Sequence, residues 1–247
     1  MAWQFLQTIG VSQSRIRVTG DEAIEAAYAA RRQEPGTQLG VNFRLRTSAK
    51  TTDCELETVK SVLQQFAAKK RVSFVPVPIS VDSSTSDHRS IMRLLSGVDD
   101  ETDGGAQLTS PAQVIEQVGH CRILVTCAYH AAVFALAQGI PVIGLAKSPY
   151  FTEKFLGLKN QFGLGCEVIQ MTANDFSRRL DAAMEFAWAS AADIRGQLHQ
   201  AALHQMKAVC DSYEEVKKLV RNSTQNLDTR ERNITSVIGS IAGKSLL

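Results

Sequence analysis

The stretch Cys121-Arg-Ile-Leu-Val-Thr-Cys-Ala-Tyr-His130-Ala-Ala-Val-Phe-Ala-Leu-Ala-Gln-Gly-Ile-Pro141-Val-Ile-Gly-Leu-Ala146 decides the fold. Arg122 to Thr126 is a short apolar run, which predicts a buried strand. Tyr129 to Gln138 is apolar all round, so it reads as a helix covered on every side. Gly139 ends that helix. Pro141 to Ala146 is a second apolar run of strand length. Strand, buried helix and strand in this order make a βαβ unit with parallel strands.

Upstream, Leu39 to Leu45 predicts a strand and Thr52 to Lys70 a helix, with Val59, Val62, Leu63 and Phe66 on one face. Arg71 to Pro78 is a further strand whose prolines suit a sheet edge or an early exit from the ladder. Helices follow over Asp87 to Leu95 and from Pro111 to Val118, the latter with proline in its favoured first turn. Ala23 to Arg32 is also helical. Downstream come a helix near Thr152 to Leu158, a strand around Glu167 to Gln170, and a helical pattern from Asn174 to about Arg221, with Gly196 as a break. The alternation predicts an α/β protein with a Rossmann-like parallel sheet and helices on both faces. The expected organisation is a helical or linker segment at 1–38, the Rossmann-like domain at 39–190, a C-terminal helix packed on it at 191–222, and a loose tail at 223–247.

The composition suits a real core: 247 residues, 44% hydrophobic and 21% charged. The net charge is +2, from 27 basic and 25 acidic residues, with no long basic run, so nucleic acid is not an expected partner. No apolar stretch approaches the ~20 residues that span a bilayer, and Met1 to Phe5 does not open a signal peptide. The five cysteines, Cys54, Cys121, Cys127, Cys166 and Cys210, form no CxxC pair. They predict reduced, mostly buried thiols in a cytoplasmic protein. No metal site and no cofactor are expected. The acidic loop Asp99 to Gly105 lacks the alternate ligand spacing of a calcium loop. His199 and His204 are five apart and share no helix face, and Gly163-Leu-Gly165 is too short for a dinucleotide fingerprint.

Ligands of open parallel sheets bind beyond the carboxyl ends of the strands. The residues following those ends are Arg44 and Arg46; Asp82, Ser83, Ser84, Asp87, His88 and Arg89; Cys127, Tyr129 and His130; and Lys147, Ser148, Tyr150 and Lys154. Arginine, lysine and a histidine at a helix start point to an anionic small molecule. His130 stands where free N–H groups and the helix dipole attract phosphate or carboxylate, and it is able to donate to an anion or carry a proton. Its position alone leaves open a buried histidine satisfied by backbone. Likewise Arg44 suits either the site or a surface ion pair, and Lys154 either the site or a solvated helix face.

The block from Cys121 to Leu145, continued by Ser148-Pro-Tyr150-Phe-Thr-Glu-Lys154-Phe-Leu-Gly-Leu158, resembles the polysaccharide pyruvyl transferase family. Ile9-Gly-Val11, Val18-Thr-Gly-Asp-Glu22 and Gly40-Val-Asn-Phe-Arg44 are similar to that family's middle region. The resemblance spans roughly residues 5 to 215. It implies the C-terminal, donor-binding half of a two-domain transferase of GT-B type, with the half that holds the acceptor preceding it. It implies transfer of pyruvate from phosphoenolpyruvate to a pair of sugar hydroxyls as a ketal. In it, Arg44 and His130 match the positions that hold the donor's phosphate and carboxylate, with His130 as the catalytic residue; Arg46, Tyr129, Tyr150 and Lys154 are the further residues expected to bind substrate. The partners implied are phosphoenolpyruvate, a glycan or lipid-linked sugar acceptor, and either a separate N-terminal half or a second copy of the chain. One departure stands out: many members carry arginine two residues before the histidine, where this chain has Ala128. A histidine-led helix followed by Gly-Ile-Pro also resembles some nucleotide-sugar glycosyltransferases, and a non-catalytic donor-binding module remains a third alternative.

Overall fold

A computed structural model describes residues 2–44, 53–80, 86–99 and 101–243. Five strands, β1 (Gln38–Asn42), β2 (Phe74–Pro76), β3 (Cys121–Thr126), β4 (Val142–Ala146) and β5 (Cys166–Gln170), form one sheet in the order β2-β1-β3-β4-β5. Every pairing is parallel. β2 is an edge strand, as its prolines predict. The chain builds outward from β1 in one direction and from β3 in the other, so the strand order reverses between them. Such a reversal opens a crevice at the carboxyl edge.

The helices are α1 (Ala2–Thr8), α2 (Ala23–Ala29), α3 (Asp53–Lys70), α4 (Asp87–Leu95), α5 (Pro111–Val118), α6 (Tyr129–Ala137), α7 (Pro149–Phe162) and α8 (Phe176–Gly243). Two apolar clusters cover the sheet, one on each face. Leu39, Val41 and Phe43 meet α3, α4 and the first part of α8. Val75, Leu124 and Val142 meet α2, α5, α6 and α7. Because both faces are covered, β1, β3 and β4 are apolar without alternation. Phe43, Phe66 and Phe155 are among the largest fully buried side chains. Each contributes about 1.5–3 kcal/mol by leaving water.

The C-terminal region differs from its sequence pattern. α8 is one helix of 68 residues. It runs through the expected boundary at 190/191, through Gly196, and through 223–243, which the sequence suggests is a loose tail. Gly196 does not break it because a helix tolerates a single glycine at a cost of about 1 kcal/mol, and no proline or further glycine follows before Gly239. Phe176, Leu180 and Met184 pack on one face of the sheet, Leu198 and Ala202 on the other. Between them Arg122 Nε donates to Trp188 O at 3.1 Å, and His199 Nε2 lies 3.0 Å from Gln138 O. Gly139, with φ +80°, lies against His199: a Cβ there would fall 2.6 Å from its Nε2. α8 thus passes the amino edge and leaves the carboxyl edge open. α7 is also longer than expected, because Pro149 begins it directly after Ser148.

Candidate functional site

β1 ends at Asn42, so Arg44 lies just past the strand rather than within it. Its guanidinium turns to the first residue of α4. Nε donates to Asp87 Oδ1 at 2.5 Å and Nη2 to Oδ2 at 2.9 Å. Asp87 is fully buried, whereas 26% of the Arg44 side chain is exposed. Asp87 also accepts from Asn42 Nδ2 at 2.9 Å, Ile79 N at 2.9 Å and Ser80 N at 3.0 Å. Buried charge demands such saturation. The bond to Asp87 outweighs burial and raises the Arg44 pKa above its ordinary value.

The network continues across the strand reversal. Asn42 Nδ2 donates to Val77 O at 2.9 Å, and Thr126 Oγ1 donates to Asn42 Oδ1 at 3.1 Å. Ala128 N donates to Thr126 Oγ1 at 2.8 Å. From β4, Lys147 Nζ donates to Arg44 O and lies 4.4 Å from the Phe43 ring centroid. Cys127 sits beneath these cations. Burial pushes its thiol up, against the pull of Lys147 and Arg44, so it stays protonated.

A second group gathers on the other side of β3's exit. Ala131 to Ala137 are buried along α6, but the His130 side chain in its first turn is 55% exposed. This excludes the buried histidine that its position left open. His130 Nε2 lies 3.8 Å from Asp21 Oδ2, and Asp21 Oδ1 accepts from Ala23 N at 2.9 Å. Tyr129 stands beside the same carboxylate. Burial first and the Asp21 charge second push its phenol up to about 12, so it stays neutral. The Tyr129 and His130 rings stand edge to face at 5.4 Å. On α7, the Lys154 ammonium lies 4.7 Å from the Tyr150 ring centroid and 5.3 Å from that of Tyr129. Tyr150 and Lys154 therefore share a helix face, as their spacing predicts. Neither the Ala128 N-cap of α6 nor the Ser148 N-cap of α7 makes a side-chain cap bond, so the first-turn N–H groups have no side-chain acceptor of their own.

The residues expected from sequence thus fall into two neighbouring groups: Arg44 with Asp87 and Lys147, and His130 with Tyr129, Tyr150 and Lys154. Among the described residues, no hydrogen bond, ion pair or ring contact joins Arg44 to His130. Arg46, Asp82, Ser83 and Ser84 lie outside the described residues. Of the two carboxylates that organise the groups, Asp87 stands among the residues expected past the β2 end, though with no role assigned to it, and Asp21 was not expected at the site. Asp87 directly follows a β2 exit loop at a helix start, a signal that was available. Asp21 carries only the appearance of a helix-capping residue. A cavity of about 670 Å³ adjoins the second group. It is bounded by Leu6, Ile16 and Val18 on one side and by Tyr129, Tyr150 and Lys154 on the other.

A family model described as polysaccharide pyruvyl transferase matches residues 2–149. No curated protein matches the chain. A crystal structure described as the glycotransferase of kitacinnamycin is similar at 15% identity and a TM-score of 0.40, covering 82% of this chain and 50% of that one. The chain therefore spans half the length of that protein. Among the described residues, no helix is long and apolar enough to cross a membrane.

Proposed function

The chain belongs to the polysaccharide pyruvyl transferase family, and from that premise we propose that it transfers pyruvate from phosphoenolpyruvate to two hydroxyls of a glycan or lipid-linked sugar, forming a cyclic ketal. Family membership makes it transferase-like. The donor, the acceptor and the ketal are our reading. The observation that carries it is the exposed His130 in the uncapped first turn of α6, inside the matched region and beside the strand reversal.

In this reading the donor lies beyond β1, β3 and β4. Its carboxylate and phosphate face the α6 N-terminus, where free N–H groups favour anions. Arg44, fixed by Asp87, presents one edge of its guanidinium, and Arg46 and Lys147 add positive charge. Lys154, held over two tyrosine rings, is the point charge between donor and acceptor. His130 gives a proton to the donor's methylene carbon, which makes the adjacent carbon electrophilic. One sugar hydroxyl adds there, phosphate leaves with its bridging oxygen, and the second hydroxyl closes the ketal. Two hydroxyl protons are released, one returning to His130 and one leaving with phosphate. Asp21 orients the His130 ring. Three cysteines of the described region are buried thiols, which suits a cytoplasmic enzyme.

The test is titration calorimetry with phosphoenolpyruvate and with UDP-sugars, followed by phosphate release with an acceptor panel. Phosphoenolpyruvate binding is expected, with His130→Ala lowering turnover by about 10²–10⁴-fold, the usual range for a general acid. Binding of a UDP-sugar in place of phosphoenolpyruvate would make the chain a glycosyltransferase part. Binding without turnover would make it a donor-binding module.

A further inference from the structure

The far part of α8 is built differently from the rest of the helix. Leu198, Ala202 and Gln205 are buried against the body. From Tyr213 to Arg221 every residue is exposed. Two ties mark where the helix emerges: the Tyr213 hydroxyl donates to Glu22, and Arg17 Nη2 pairs with Glu215 at 2.8 Å. The helix then continues to Gly243.

This stretch carries apolar residues at a regular interval. Val216, Leu219 and Val220 are 55%, 61% and 60% exposed. In the sequence, Tyr213, Val220, Leu227, Ile234 and Ile241 recur every seven residues, and Val216 and Val237 stand three positions after Tyr213 and Ile234. These are the a and d positions of a heptad repeat. Ser223 and Arg230 take the two d positions between them. Polar residues within a seam cost stability and fix its register.

The period identifies what covers the stripe. Residues strictly seven apart drift by about 20° per heptad on a straight α-helix, or about 80° from Tyr213 to Ile241. A flat protein face or a lipid surface loses such a stripe, whereas a second helix that supercoils with it keeps it. Among the described residues the next longest helix, α3, has 18 residues and is packed on the sheet, so it does not serve. A second copy of this chain brings the matching seam. Acidic and basic residues balance over 211–243, so two copies do not repel. The pairs Lys207–Asp211 and Glu214–Lys217 lie along the helix and off the a and d positions. A helix lying on a membrane surface would carry a basic polar face instead. From Asp211 to Gly243 the helix is about 50 Å long and about 10–12 Å wide. Two such faces cover roughly 1,000–1,200 Å², the lower bound of a specific interface.

We propose that the exposed part of α8 pairs with that of a second copy as a two-stranded coiled coil, which makes the protein a dimer. The pairing is independent of the pyruvyl-transfer reading. β-Branched Val220, Ile234 and Ile241 at the a positions suit two strands.

The experiment is sedimentation equilibrium of the full chain over roughly 1–100 μM, where a reversible dimer shows its concentration dependence. Twice the chain mass of 27.0 kDa is expected at the upper end, with monomer appearing on dilution. Val220→Lys and Leu227→Lys each place a charge in the seam and are expected to raise the dissociation constant at least tenfold. Lys218→Gln, off the seam, should change it less than threefold. Near-UV circular dichroism, to which Trp188 packed on Phe66 contributes, checks that the body stays folded. If Val220→Lys disturbs that signal, Leu227→Lys, seven residues further from the body, decides. A monomer throughout the range overturns the proposal, and binding of that monomer to anionic phospholipid vesicles would make the segment a membrane-surface helix. A dimer that survives both lysine substitutions overturns it as well, as does equal loss in Lys218→Gln or assembly into trimers.

Discussion

The two polar groups at the carboxyl edge are close neighbours built on opposite principles. Around Asp87, five donors from Asn42, Arg44, Ile79 and Ser80 converge on one buried carboxylate. Around His130, the rings and polar groups are held at longer range, by the 3.8 Å approach of its Nε2 to Asp21 and by cation–π contacts of Lys154 near 5 Å, with the side chains partly in water. The first group fixes the backbone where three strands end. The second leaves its polar atoms partly exposed to solvent. A saturated cluster resists rearrangement because each lost bond strands a buried polar atom. An unsaturated one beside it allows binding without cost to the frame.

The largest effect expected from this contrast is at Asp87. Asp87→Ala leaves a guanidinium and two backbone donors without their acceptor, and should cost about 3–5 kcal/mol, the scale for breaking a buried pair. Urea denaturation reads it. A loss no greater than that of a surface substitution would erase the distinction between the groups. A middle-sized effect belongs to Lys154. Lys154→Gln removes contacts worth about 0.5–1 kcal/mol to stability at an exposed site, yet should weaken phosphoenolpyruvate binding by about tenfold, or ~1.4 kcal/mol. Calorimetry giving unchanged donor affinity would return Lys154 to the solvated surface.

The smallest effect sharpens the comparison through a histidine in a finished setting. Burial lowers the His199 pKa below its ordinary 6.5, against the pull of its bond to Gln138 O. The unfolded chain therefore takes up the proton first. The stability that the neutral ring contributes is present above pH 6.5 and is lost as pH falls through the lowered folded value. Melting temperatures at pH 7.5 and 5.5 should differ less in His199→Gln than in the unsubstituted chain. An equal acid shift in both would assign the effect to other groups.

The parallel sheet was legible because apolar runs and helical periods are local. Cys121 to Ala146 carries strand, helix and strand without help from the rest of the chain. The edge position of β2 was legible from Pro76 and Pro78. The pairing of Arg44 with Asp87 was not, since its partners are 43 residues apart and the intervening pattern names neither. The exposure of His130 was hidden by the apolar residues after it, because only the first turn of α6 reaches the crevice. The cavity was hidden more deeply. One wall, residues 6–19, reads as part of a helical or linker segment, and its meaning comes from packing against α7. The length of α8 was missed because polar residues after Arg221 resemble a tail when no packing partner is in view, although helix formers continue there.

The network around Asp87 also bears on the order of folding. Its bonds reach across 35 to 45 positions to Asn42 and Arg44, those of Thr126 and Lys147 across 84 and 103. Such long closures are slow to form, and parallel sheets built from them fold late relative to their helices. The carboxyl edge becomes complete only when β4 has joined, because Lys147 follows that strand. The polar network at that edge therefore reports the joining of β4 rather than early collapse.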